Sequence, residues 1–191
     1  MNRFRRLTFD DLRAMPDDGW RHEIIDGDLI ASPAPNPLHQ LLVYVLYGLI
    51  DRHEFERELG IVLGAPIDVK FSDFHAFQPD ICLVAADCSG IVPDGFVLGA
   101  PDLVVEVLSP STARQDRRTK RVVFEQFGVR EYWVLDPESE RLLVHRLVDG
   151  RYQTALDDQG AVRSAAIDGF ILDVPGLFTT VRKRLNVGRN I

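Results

Sequence analysis

The run Pro101-Asp102-Leu103-Val104-Val105-Glu106-Val107-Leu108 decides how this chain is read. From Leu103 to Leu108 every residue but Glu106 is a branched aliphatic. A near-continuous apolar run rich in valine suits a strand buried on both faces, whereas a half-exposed strand alternates. The run therefore belongs in the middle of a sheet. Glu106 resists that placement, because a carboxylate in such a strand costs several kcal/mol unless a cation or hydrogen-bond donors compensate it. Side chains alternate along a strand, so Asp102, Val104, Glu106 and Leu108 share one face.

Working outward, Thr8 followed by Asp11 resembles a helix cap, and Phe9, Leu12 and Met15 recur at helical spacing up to Pro16. His22-Glu23-Ile24-Ile25 and Asp28-Leu29-Ile30 flank Asp26-Gly27, the preferred pair for a two-residue type I′ turn, which predicts a β-hairpin carrying Glu23. Pro33, Pro35 and Pro37 forbid regular structure until Leu38. A long core helix then follows on Leu38, Leu42, Val45, Leu46 and Leu49, ending before Gly60. Ile61 to Phe71 and Pro79 to Ala85 read as strands beside the central run. Asp116 caps a helix from Arg117 to Phe127, stopped by Gly128. Glu131 to Leu135 and Leu142 to Val148 are strands around an Asp136-Pro137 turn; short strands fill Arg151 to Asp173, and Gly176 to Arg184 forms a terminal helix. The order is that of a mixed α/β (α+β) fold in a single domain over residues 1–191, since no repeat or linker divides the chain.

Composition narrows the function classes. The 191 residues are 46% hydrophobic and 27% charged, an ordinary globular profile that excludes disordered and fibrous chains. The longest apolar stretch, Leu41 to Ile50, falls short of the roughly 20 residues a bilayer span needs. Asp10 and Asp11 stand where a signal peptide places its apolar core, so export is not expected. Cys82 and Cys88 lack CxxC spacing and read as free thiols of a reducing cytoplasm. With 22 basic against 29 acidic side chains the net charge is −7, too acidic for coating nucleic acid by bulk charge. Local basic clusters remain: Arg114, Arg117, Arg118, Lys120 and Arg121, and in the tail Arg182, Lys183, Arg184 and Arg189.

Four polar residues are hard to place on solvent-facing surfaces. Asp80 stands at the mouth of the apolar strand Ile81-Cys82-Leu83-Val84, so two adjacent buried strands bring Asp80 and Glu106 together. Like charges that close raise one pKa unless a cation sits between them, and oxygen-only ligands favour Mg²⁺ or Mn²⁺. Lys120 lies on the helical stripe of Val123 and Phe127, facing the core, where it either snorkels to water or meets an acid. Glu23 precedes the apolar pair Ile24 and Ile25. Each has a plainer reading beside this one: Asp80 and Glu106 as a structural pair bound to arginine, Lys120 as a surface lysine, Glu23 as a solvent-facing hairpin residue.

The central run continued through Ser109-Pro110-Ser111-Thr112, with Asp116, Lys120 and Gly128-Val129-Arg130-Glu131-Tyr132-Trp133-Val134-Leu135-Asp136-Pro137, resembles the Uma-two family of restriction-endonuclease-like proteins, within the PD-(D/E)XK nuclease superfamily. His22 to Leu29, the prolines before His39, Pro79-Asp80 and Gly169-Phe170-Ile171-Leu172-Asp173 extend the likeness over about residues 8 to 180. The resemblance implies a mixed central sheet flanked by helices. It implies Asp80 and Glu106 as metal-binding acids, Glu23 as an acid from the N-terminal region that assists the metal, and the Val107 carbonyl as a further ligand. The superfamily pattern has lysine two residues after the second acid; here that place is Leu108, and Lys120 resembles the migrated lysine of related proteins. The implied activity is Mg²⁺- or Mn²⁺-assisted hydrolysis of DNA by Glu23, Asp80, Glu106 and Lys120, with Arg114, Arg117, Arg118 and Arg121 on flanking phosphates and a homodimer cutting two strands. Leu108 and the acidic pI near 5.2 favour a rival: a catalytically weak or inactive nuclease-fold module that binds nucleic acid or a protein partner.

Other candidates read more plainly. Asp102 lies four positions from Glu106, roughly 13 Å along a strand, too far to share an ion, and is a strand-start hydrogen-bonder. Ser109 and Ser111 lack a GxSxG elbow and belong to a turn. His39, between the prolines and the long helix, is placed to approach the site, with capping or packing as its plainer reading; His22, His53, His75 and His145 lack ligand spacing, and Tyr132 and Trp133 pack in a strand.

Overall fold

Along the chain, α1 (Phe9–Arg13) precedes the hairpin β1 (Arg21–Ile25) and β2 (Asp28–Ser32), then α2 (Pro37–Arg57), β3 (Gly60–Gly64), β4 (Val69–Ser72), β5 (His75–Phe77), β6 (Ile81–Ala85), β7 (Val97–Leu98) and β8 (Leu103–Val107). A wider, π-helical turn over Asp116–Lys120 runs into α3 (Arg121–Phe127), and β9 (Glu131–Asp136), β10 (Arg141–Val148), β11 (Arg151–Leu156), β12 (Ala161–Arg163), β13 (Ile171–Asp173) and α4 (Val174–Val187) follow. This computed structural model describes residues 5–92, 95–109, 116–156 and 160–187. The side chains of residues 88–90, 116, 117, 156 and 187 lie outside that description.

Local chemistry accounts for the boundaries. The Thr8 hydroxyl and the Asp11 carboxylate cap α1 reciprocally. Asp26 and Gly27 both take positive φ, 55° and 82°, as a type I′ turn requires, and set the register Ile25 opposite Asp28. Asn36 caps α2 with Pro37 in its first turn, so the helix starts within the proline-rich segment. Gly128, at φ 87°, closes α3.

The strands form a mixed α+β architecture of more than one sheet. A six-stranded sheet has the order β11-β10-β9-β8-β6-β3, with β8 near its centre, antiparallel to β6 and parallel to β9. A five-stranded sheet has the order β2-β1-β5-β4-β7, and β12 pairs with β13. The expected strand from Ile61 to Phe71 is thus two strands: β3 ends at Gly64, the chain passes through the cis Ala65-Pro66 bond, and β4 joins the other sheet. One β-rich stretch in sequence serves two layers, which local propensity does not reveal.

Alternation along β8 divides the core. Leu103, Val105 and Val107 pack with Leu42, Leu46 and Ile50 of α2 and with Leu177 and Val181 of α4. Val104 and Leu108 face the other way, toward Val123 and Phe124 of α3 and Val69 and Phe77 of the five-stranded sheet. Glu106 shares their parity, so its carboxylate enters the layer between the two sheets. On α2 the buried stripe is Leu42, Leu46, Ile50 and Glu54; Leu49, expected in the core, is exposed because it falls one position off that stripe. The terminal helix begins at Val174, two residues earlier than its sequence pattern indicates. No helix among the described residues is long and apolar enough to cross a membrane.

Glu54 sits on the buried stripe with neither carboxylate oxygen hydrogen-bonded. Burial pushes its pKa up, helped by the Asp102 charge and opposed by His53. A carboxyl with a raised folded pKa is compatible with the fold while protonated and costs stability as pH rises through that pKa. Glu54→Met, which keeps the volume and removes the unpaired charge, is expected to raise Tm at pH 7 by about 2–4 °C, the effect of roughly 1 kcal/mol in a chain this size. The gain should shrink toward pH 4 in calorimetric scans.

Candidate active site

On β1, Arg21, Glu23 and Ile25 share one face, and the pairing of β1 with β5 turns it toward the six-stranded sheet. Asp80 ends the link between β5 and β6, just before Ile81, whose partner on β8 is Val105. That register puts the Asp80 carboxylate at the end of β8 that bears Glu106, where its Oδ2 accepts the Val107 N–H at 2.8 Å. The turn before α3 sends Lys120 inward from the opposite side. Strand, loop and helix thus converge on a pocket of about 150 Å³ walled by Arg21, Glu23, His39, Asp80, Glu106 and Lys120.

The centre of this arrangement is the Lys120 ammonium, 3% exposed, whose Nζ donates to Glu106 Oε1 at 2.7 Å and to Glu23 Oε1 at 2.9 Å. Glu23 Oε1 also accepts the Gln78 N–H at 3.0 Å. The plainer readings of Lys120 as a surface lysine and of Glu23 as solvent-facing do not hold, since both are buried. Asp80 has its own partners: Arg21 Nη2 donates to Oδ1 at 2.8 Å, and His39 Nε2 lies 3.1 Å from Oδ2. Burial raises the Asp80 pKa, but the His39 hydrogen bond, the Arg21 guanidinium and the Val107 amide together hold it below the usual carboxylate range. For Arg21, burial opposes the charged form, and Asp80, Glu106 and Glu23 outweigh it.

All four residues singled out in the sequence, Glu23, Asp80, Glu106 and Lys120, line one pocket. They do not gather as a bare carboxylate cluster: among the described residues no three His, Cys, Asp or Glu side chains form a group able to hold a metal ion. Lys120 stands between Glu23 and Glu106, and Arg21 and His39 occupy Asp80. The donor set nevertheless fits a hard cation in its chemistry. Three carboxylates face the Arg21 guanidinium and Lys120 Nζ, and every acidic donor is an oxygen.

One site residue, Arg21, escaped the sequence reading, and a second, His39, was given the plainer of its two readings. Arg21 lies two positions before Glu23, so strand alternation alone places it on the same face. His39, read as a capping or packing residue, is buried near the start of α2 with Nε2 on Asp80. Ser109 lines the pocket, whereas Ser111 and Arg114 lie outside the described residues, as does the side chain of Arg117. Arg118 is exposed and Arg121 pairs with Glu125 at 3.7 Å. Asp102 accepts from the Ala85 N–H at 2.8 Å and from Arg130 at 3.0 Å, at the far end of β8. Leu108, where the superfamily pattern has lysine, is a buried core residue.

A family model described as "Putative restriction endonuclease", Uma2, matches residues 9–175. The chain belongs to the Uma2 family. A crystal structure of a putative nuclease from Anabaena variabilis shares the fold of this Uma2 member, with a TM-score of 0.78 over 92% of this chain and 99% of that one at 20% identity. No curated protein matches the sequence.

In this Uma2 chain, removing the shared cation strands two buried carboxylates. Lys120→Met is expected to cost about 3–5 kcal/mol in urea unfolding at pH 7. The double variant Lys120→Met/Glu106→Gln should recover part of that loss, because one of the two stranded charges is gone.

Proposed function

We propose that this protein is a divalent-metal-dependent endonuclease that hydrolyses phosphodiester bonds of DNA. The observation that carries the reading is the convergence of Glu23, Asp80, Glu106 and Lys120, from four separate segments, on one pocket. Membership of a family described as restriction-endonuclease-like supports it.

Asp80 and Glu106 are the carboxylates that would hold Mg²⁺ or Mn²⁺, with Glu23 as the third acid. Bound there, the ion would supply Lewis acidity toward the phosphate. The chain's own residues supply the rest. Arg21 and His39 keep Asp80 ionised and oriented, since both hydrogen-bond its oxygens. Lys120, paired with two carboxylates in a pocket screened from water, is placed to stabilise the negative charge that develops on the phosphoryl oxygens. Glu23 and Glu106 hold that ammonium in place. Water attacks phosphorus and gives up a proton as the new P–O bond forms, one P–O ester bond breaks, and the leaving oxygen takes up a proton, so that one water is consumed per bond cut.

Cutting both strands of a duplex would take two such pockets, the homodimer that the family resemblance implies. A reducing cytoplasm suits Cys82, a free buried thiol whose pKa burial pushes up to about 12.

Supercoiled plasmid and single-stranded DNA incubated with Mg²⁺ or Mn²⁺ test the reading. Wild type is expected to cut, and Asp80→Asn and Glu106→Gln, shown folded by circular dichroism, to cut at least about 100-fold more slowly. Cutting at the same rate in all three would place the activity elsewhere. No cutting above the variant background would assign the pocket, with its acids already paired, to a binding module.

A further inference from the structure

We propose that a groove leading from this pocket along α2 is a subsite for an unpaired nucleobase stacked on Tyr44, so that the substrate class is a single-stranded or locally unpaired nucleic-acid strand. The proposal deepens the nuclease reading and rests on it.

A second cavity, of about 270 Å³, opens beside the first and shares Arg21, Pro35, His39 and Asp80 with it. Beyond those shared residues its wall changes character. Tyr44 and Tyr47, one helical turn apart on α2, supply aromatic surface, and Gln40, one turn before Tyr44, adds an amide that both donates and accepts hydrogen bonds. Tyr44 is 65% exposed, with a large apolar ring facing solvent in mid-helix. Tyr47 is fixed instead as the floor, because its hydroxyl donates to the Val62 carbonyl at 3.3 Å.

Charge supports a nucleotide over an apolar peptide segment. Arg21 lies where the groove meets the pocket, and the Arg184 guanidinium of α4 stands over the Tyr44 ring, 5.7 Å from its centroid, which leaves the opposite face for a base. A strand whose phosphate sits near Asp80 and Glu106 thus meets an aromatic face for its base, with Arg184 over that ring and Arg21 at the pocket, the combination by which single strands are held. A paired base offers no face to such a ring, since both its faces are stacked within the duplex. The net charge of −7 also disfavours a long run of duplex phosphates on this protein.

The test is fluorescence anisotropy with a labelled single-stranded DNA of about 12 nucleotides and with the same sequence paired to its complement in a hairpin whose loop is a polyethylene glycol linker, so that it holds no unpaired base, in EDTA and again in Ca²⁺. Single strand is expected to bind at least about tenfold more tightly than hairpin. Tyr44→Ala should weaken single-strand binding about 5- to 150-fold, the worth of one base–aromatic stack, and leave hairpin binding unchanged. Tyr44→Trp should retain it. Equal affinity for the hairpin, no effect of Tyr44→Ala, or no binding of either DNA would overturn the proposal. So would a wild-type dimer that Tyr44→Ala dissociates, since that gives this face to a second copy. The two readings fail separately: cutting that depends on Glu106 with Tyr44→Ala binding normally removes the subsite alone, while a Tyr44-dependent preference for single strands without any cutting removes the nuclease reading alone.

Discussion

The architecture turns on one buried cation. Lys120 brings its ammonium into the layer between two sheets and finds a carboxylate on each side, Glu106 from the six-stranded sheet and Glu23 from the five-stranded one. None of the three belongs in that layer alone, because each isolated charge would cost several kcal/mol there. Together they satisfy one another, and in doing so they tie the turn before α3 to both sheets. A hydrophobic core tolerates many rearrangements of similar volume; a charged contact of this kind permits few, so it fixes how the two sheets face each other.

Asp80 extends the same logic by a different route. Its carboxylate accepts a backbone N–H from Val107, next to Glu106, and so locks the mouth of β6 to the end of β8 by a bond that does not depend on side-chain rotamers. Arg21 then completes its charge from β1, the strand that carries Glu23. The two acid groups are therefore cross-braced: each sheet contributes a carboxylate, and each carboxylate is held by something from the other sheet or from a helix. Such bracing holds functional groups in position before any ligand arrives.

How much of this was legible in the sequence follows from which forces are local. The hairpin at Asp26-Gly27, the stop at Gly128 and the central β8 were readable because turn chemistry and apolar runs act within a few residues. Glu106 and Lys120 were readable for the opposite reason: each violates the pattern of its own element, and a violation inside an apolar strand or on a core-facing stripe demands a partner. Arg21 and His39 violate nothing. An arginine at a strand start and a histidine near a helix start are ordinary, and only the fold brings them to Asp80, 59 and 41 positions away in sequence respectively. The division of Ile61 to Phe71 between two sheets was hidden likewise, since strand propensity does not say which sheet a strand joins.

The pairing of every acid with a cation bears on how the pocket can work. Carboxylates buried together without cations would raise one another's pKa and take up protons, and a protonated acid is a poor ligand for a hard ion. Arg21 and His39 prevent that at Asp80, whose pKa stands below the ordinary range despite its burial. Asp80 is thus kept ionised at neutral pH, and on the nuclease reading proposed above an arriving ion would exchange with Arg21 and Lys120 for a share of the carboxylate oxygens. Lys120 is suited to such an exchange because its ammonium is a compact charge on a flexible stem, so it can shift toward a phosphate oxygen while Glu106 turns to a new partner. On the nuclease reading, what looks in isolation like a set of closed salt bridges would be a site whose side chains are already positioned for phosphate chemistry.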